Sequence, residues 1–126
     1  MSSLSDIKLP TSWLLADETD CKQASSVMEV VGHRWSPSVL LALARGAERF
    51  TEVLAIVEGL SARMLTVRLK ELESARLVDR IVIPTTPVSV RYHLTPRGAD
   101  LLAALEPIAS HVQRWRPDAD TPRSTS

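Results

Sequence analysis

The sequence predicts a mainly α fold with one small β-hairpin, an α+β arrangement around an aliphatic core. Apolar residues recur at helical spacing from 22 to 75 and again from 96 to 115. Between those stretches, 77–94 is β-branched and partly alternating, and Pro84-Thr85-Thr86-Pro87 breaks it in the middle. Apolar residues make up 44% of the 126 but aromatics only 4%, so Leu, Val, Ile and Ala must fill the interior of a single domain.

Each element follows from spacing and caps. The stretch 22–32 reads as a helix through Ala24, Val27, Met28 and Val31, ended by Gly32. Ser36 reads as an N-cap with Pro37 at the first helical position, where a missing N–H costs nothing. The helix 37–45 turns Val39, Leu40 and Leu43 inward and stops at Gly46. Arg49-Phe50 is a short extended piece, and Thr51 reads as the cap of a helix carrying Val53, Leu54 and Val57, stopped by Gly59. Ser61 caps a helix 62–75 with Leu65, Leu69 and Leu72 on its inner face. Strands 77–83 and 88–94 form the hairpin. Thr95 caps a last helix with Pro96 at its first position, running to about Trp115, and Pro107 should kink it near Ala103. Residues 1–20 form an arm, polar and acidic apart from Leu9-Pro10 and Trp13-Leu14-Leu15. Residues 117–126 are a polar tail expected to be disordered, leaving 21–116 as the domain.

The order helix, helix, short strand, helix, helix, hairpin, helix is a winged helix-turn-helix. Helices 51–58 and 62–75 meet at the short turn Gly59-Leu60-Ser61, so the second can enter a major groove about 12 Å wide. With Leu65, Leu69 and Leu72 inward, the outer face presents Ser61, Ala62, Arg63, Thr66, Val67 and Lys70. Arg63 stands in the first turn, where a fork-shaped donor reaches a guanine edge. Thr66 and Val67 are short enough for base edges or thymine methyls. Lys70, a turn further on, suits phosphate, and Arg68, nearer the buried stripe, would snorkel to the backbone. Arg91 lies on the second hairpin strand.

Charge supports the same surface. The net charge is zero, but residues 1–20 hold one basic and four acidic residues, and 117–126 one basic and two acidic. The body 21–116 therefore carries thirteen basic against nine acidic residues. All of that excess falls in 61–97, with seven basic residues against Glu71, Glu73 and Asp79. By charge alone, a solvated face explains this stretch as well as a nucleic acid does.

Several function classes are excluded. Glu71 and Glu73 point to different sides of a helix and make no catalytic pair. There is no phosphate loop and no nucleophile elbow, so an enzyme is not expected. His33, His93 and His111 sit on separate elements without ligand spacing, so neither a metal nor any other cofactor is expected. The single Cys21 precludes a disulfide framework. No apolar run approaches the roughly 18 residues of a membrane span, and no signal-peptide pattern opens the chain, so no membrane partner and a cytoplasmic location are expected.

Residues Gly32-His33-Arg34-Trp35-Ser36, Arg49-Phe50-Thr51-Glu52 and 60–73 (Leu-Ser-Ala-Arg-Met-Leu-Thr-Val-Arg-Leu-Lys-Glu-Leu-Glu) resemble the HxlR family of regulators, relatives of the MarR type. So do Leu77-Val78-Asp79-Arg80 and Tyr92-His93-Leu94-Thr95-Pro96-Arg97-Gly98. The resemblance spans about 21–115 in matching order and spacing. It implies a bacterial, homodimeric repressor or activator that binds a double-stranded, pseudopalindromic DNA operator and acts on nearby operons. The recognition-helix role would fall to 61–70 and the wing to 80–91. Two departures stand out. Family wing tips usually carry a basic residue soon after the proline pair, whereas this chain has Pro87-Val88-Ser89 and Arg91 displaced onto the strand. The arm is also longer and more acidic than usual.

Members of that family often carry a cysteine where Cys21 stands, and some use it to sense oxidants or electrophiles. Lys22 would help a thiolate and Asp17, Glu18 and Asp20 oppose it, so a sensor and a plain helix cysteine both stay open. Trp13, Trp35 and Trp115 read first as packing and second as walls of a pocket for a small-molecule effector. The last helix has a broader apolar stripe than one small domain consumes, which makes a two-fold interface with the first helix the expectation. Trp13, Leu14, Val27, Leu101, Leu105, Ile108, Val112 and Trp115 would form it. The alternative function is a winged-helix module that binds another protein through the same surface.

Overall fold

The computed structural model describes residues 9–116, so the expected tail 117–126 lies outside the described residues, as do the first eight residues of the arm. The chain divides into two compact units, one up to Arg34 and one from Trp35 onward.

The first unit contains α1 (Thr11–Leu14) and α2 (Glu18–Val31). The helix expected from 22 begins four residues earlier. Asp17 sets that start: its Oδ1 accepts the Asp20 N–H at 2.9 Å, and Asp20 Oδ2 accepts the Asp17 N–H at 3.1 Å. This reciprocal box satisfies two of the orphan donors of the first turn, and acidic residues suit the positive end of the helix dipole. Trp13-Leu14, within the expected arm, form a single helical turn.

The second unit is built around α3 (Ser36–Ala44), followed by α4 (Phe50–Ile56), α5 (Ala62–Ser74), β1 (Val78–Ile83), β2 (Ser89–Leu94) and α6 (Pro96–Arg114). Helix α3 packs against α4, α5, α6 and β2. The core is aliphatic, as the composition requires: Val39, Leu40, Val53, Leu65, Leu72 and Val78 are all but sealed from solvent. Each such side chain contributes about 1.5–3 kcal/mol by leaving water. The strands pair antiparallel from Val78 opposite Leu94 to Ile83 opposite Ser89. The Tyr92 N–H donates to the Glu48 carbonyl at 2.7 Å, which fastens the extended residue before α4 alongside β2.

Two caps differ from expectation. Helix α3 starts at Ser36 itself, and its N-cap is Trp35 in a left-handed conformation with φ 80°. Ser36 is buried and its hydroxyl makes no hydrogen bond among the described residues. Helix α4 starts at Phe50, with Arg49 rather than Thr51 as N-cap. The reason is Glu52, whose Oε1 reaches back to the N–H groups of Glu48 (3.0 Å) and Arg49 (2.8 Å). The expected caps at Ser61 and Thr95 are present, accepting from Met64 N–H (3.1 Å) and Gly98 N–H (2.9 Å).

Helix α6 runs as one element through Pro107. Its start is pressed onto the chain before β1. A Cβ at Gly98 would overlap the Leu77 carbonyl oxygen and stand 3.0 Å from the Leu77 carbonyl carbon, so only glycine fits.

Candidate nucleic-acid interface

The site is assembled by α4, the turn after it, α5 and the hairpin, all in the second unit. Helix α4 ends at Val57 in an extended conformation, Gly59 turns the chain with φ 87°, and Leu60 is buried as the anchor between the two helices. Ser61 then opens α5. Leu65, Leu69 and Leu72 are buried, which fixes the rotation of α5 and turns Ala62, Arg63, Thr66, Val67 and Lys70 outward.

These outward side chains differ in what they have left to offer. Arg63 and Lys70 are exposed, and neither makes an ion pair among the described residues. Thr66 donates its hydroxyl hydrogen to the Ala62 carbonyl at 2.9 Å, leaving the oxygen lone pairs and the methyl group outward. Val67 adds an exposed apolar surface that matches a thymine methyl. Arg68 is different. It is 14% exposed, and its Nη1 meets both Glu71 oxygens at 3.0 and 3.1 Å. Its charge is balanced within the helix, so the free cations of the outer face are Arg63 and Lys70.

The hairpin brings a second cationic region. Its tip is braced by Thr85, whose hydroxyl donates to the Pro87 carbonyl at 2.8 Å. Arg91 is directed toward Glu48 at 3.6 Å, and His93 Nε2 lies 3.2 Å from the other oxygen of the same carboxylate. Glu52 is held below the ordinary carboxylate value of 4.5, first by the N–H of Glu48, then by that of Arg49, and then by the charges of Arg49 and Arg91. Reading α4 from Thr51 hid this network. The signal that would have found it is the Glu at the third helical position after Arg49.

Trp35 is a packing residue of this region: its ring lies where a Cβ on Gly59 would be 3.2 Å away. Cys21 is exposed in the first unit and lines an open cleft with Asp17, Glu18, Lys22 and Glu29. Among the residues placed at an expected interface, Leu101 and Leu105 are half-buried, whereas Trp13, Leu14, Val27, Ile108, Val112 and Trp115 are exposed on the single chain. No group of three or more metal-binding side chains occurs among the described residues. No described helix is long and apolar enough to cross a membrane.

Comparison with known proteins agrees with this geometry. Residues 30–120 match the family model described as HxlR-like helix-turn-helix. The HTH-type transcriptional regulator YvaP of Bacillus subtilis is 38% identical over 95 residues, covering 75% of this chain and 84% of that protein. The HTH-type transcriptional regulator YodB of the same organism is 37% identical over 97 residues, covering 77% and 83%. The reduced form of YodB superimposes with a TM-score of 0.71 at 31% identity, over 84% of this chain and all of that one. The redox regulator HypR in its reduced form gives a TM-score of 0.59 at 32% identity, over 74% and 88%.

Proposed function

The chain belongs to the HxlR-like helix-turn-helix family of transcription regulators, and on that premise we propose that it binds a pseudopalindromic DNA operator as a homodimer. Helix α5 enters the major groove, and the hairpin lies against the backbone beside it. The observation that carries this reading is the division of labour on α5. Its inner leucines are sealed, Arg68 is neutralised by Glu71, and Arg63 and Lys70 project into solvent with their charge unspent. Arg63, in the first turn, reads a base edge, Thr66 and Val67 pack on neighbouring bases, and Lys70 meets phosphate. The dimer joins exposed apolar positions of α2 and α6, such as Val27, Ile108 and Val112.

Control by thiol chemistry is part of the proposal. HypR is described as a redox regulator, and YodB has been solved in reduced and diamide-treated forms. This chain has one thiol, Cys21, and it is exposed.

Selection of bound sites from a pool of random duplexes, followed by sedimentation of the complex, tests the proposal. The expected result is an enriched inverted repeat bound by two chains. Binding that enriches no sequence and is insensitive to salt points instead to a protein-docking module, because phosphate contacts impose a slope of about −0.9 per neutralised phosphate.

A further inference from the structure

The hairpin and the start of α4 enclose a cleft of about 450 Å³ lined by Arg49, Ile83, Thr85, Thr86, Pro87, Val88, Ser89 and Arg91. Two arginines line it, and no acidic residue does. Nothing in the recognition-helix reading uses this cleft or the Arg49 side chain.

Two acids stand near these arginines but do not line the cleft. Glu52 is tied by one oxygen to the N–H groups of Glu48 and Arg49. Glu48 stands between Arg91 and His93, outside the lining. It holds Arg91 in an ion pair at 3.6 Å, beyond the 2.7–2.9 Å of a full charge-assisted hydrogen bond, so the pair is loose. Arg49 is exposed and has no ion-pair partner within 4.0 Å among the described residues. Thr86 and Ser89 also line the cleft, and a hydroxyl is an uncharged donor. One unpaired arginine, one arginine held in a loose ion pair and two hydroxyl-bearing residues around a small open cleft suit a phosphate group, whose oxygens accept from such donors.

We infer that Arg49 and Arg91 form a clamp for one phosphate of the DNA backbone, seated between the hairpin and the start of α4. This rests on the DNA-binding reading above and deepens it. It also gives a role to Arg91, which sits on the strand rather than at the hairpin tip and lines the same cleft as Arg49. A clamp of this kind sets the register of the protein on the duplex and carries no sequence information.

The test is fluorescence anisotropy of a selected operator duplex and of an unrelated duplex, each across a salt series, for the wild type, Arg49→Ala and Arg49→Lys. Arg49→Ala should weaken binding to both duplexes alike and, because a dimer carries two such clamps, reduce the salt slope by up to about 1.8. The advantage of the wild type should then shrink by up to about twelvefold between 50 and 200 mM salt, while Arg49→Lys keeps the slope. Because Arg49 is exposed, thermal melts of both variants should match the wild type. An operator with one neutral methylphosphonate in each half-site, the two walked along the backbone in step, should reveal one symmetry-related pair of positions at which the wild type and Arg49→Ala bind equally well. An unchanged slope in Arg49→Ala overturns the clamp while leaving DNA binding intact. Wild-type protein that binds neither duplex overturns the DNA reading itself. Inorganic phosphate that binds only when Arg49 is present, yet lowers DNA affinity no more than chloride of equal ionic strength, would assign the cleft to free phosphate and overturn the backbone assignment.

Discussion

The indole of Trp35 lies against Gly59, so that a Cβ at position 59 would stand 3.2 Å from Trp35 Cη2 and 3.9 Å from Cζ2. Both residues have left-handed backbones, with φ of 80° and 87°. The start of α3 and the turn between α4 and α5 are therefore set against one another, and the angle at which α5 leaves the domain depends on both. Gly59→Ala places a side chain in a conformation that costs about 1–2 kcal/mol and also presses on the indole. A stability loss of at least that size is expected in denaturant titration, accompanied by weaker DNA binding. A variant that melts like the wild type would show that this turn tolerates a side chain.

Arg63→Ala should weaken binding to the selected operator by about 1–3 kcal/mol and binding to unrelated duplexes much less. The residue is exposed in the first turn of α5 and makes no ion pair among the described residues, so the fold should not notice the change. Parallel titrations on both duplexes check this. Equal losses on both would make Arg63 a phosphate contact.

Much of this surface was legible in the sequence, because a period of 3.6 residues with buried leucines at 65, 69 and 72 dictates what faces outward. Periodicity failed where the helix carries no apolar residue to mark it. The first turn of α2, Glu18-Thr19-Asp20, is entirely polar, and only the Asp17–Asp20 box shows that it is helical. Caps failed where a tertiary contact or a reaching carboxylate outweighed the local preference for Ser or Thr. Trp35, held on Gly59, takes the position expected for Ser36, and Glu52 draws the start of α4 back to Arg49. The spacing of Arg68 and Glu71 permits an ion pair, but not the burial that removes Arg68 from the exposed charge. The Arg49–Arg91 cleft was not legible, because it exists only once the Tyr92 N–H meets the Glu48 carbonyl.

Val112→Asp should convert the dimer to monomers and abolish high-affinity binding to the inverted repeat. Val112 is 54% exposed on the single chain, so an aspartate there leaves the core of the fold intact while burying a charge in any interface formed by α6. Leu105, being half-buried, would confuse unfolding with dissociation. Sedimentation equilibrium and a melting curve separate the two effects. An unchanged dimer would place the interface away from this face of α6.

Cys21→Ser should bind the operator as the wild type does and lose any response to diamide or quinones. The thiol is exposed, so serine introduces no packing defect. Wild-type protein that keeps full DNA affinity after alkylation of its thiol would remove Cys21 from regulation.

The segment Trp13-Leu14 is expected to act as a strap across the interface of the dimer, and a shortened chain beginning at Ala16 tests it. Trp13 and Leu14 are 62% and 65% exposed on the single chain and, with the exposed Leu15, form an apolar cluster of the kind that a partner surface covers. The competing account is a mobile tail whose acidic residues weaken attraction to DNA. The position of the cut decides between them. Of the four acids in the first twenty residues, Asp17, Glu18 and Asp20 belong to the capped start of α2 and must be kept, since removing Asp17 would unravel the helix for an unrelated reason. Residues 1–15 carry only Asp6 and Lys8, so their removal leaves the formal side-chain charge unchanged. A strap then predicts a lower melting temperature and weaker dimerisation, by about 1.5–3 kcal/mol for each large side chain unburied, with little change in the salt dependence of DNA binding. Electrostatic softening would instead appear in Glu18→Gln, as tighter DNA binding at low salt that disappears as screening increases. If the shortened chain melts and dimerises as the full chain does, Trp13 and Leu14 hold nothing together.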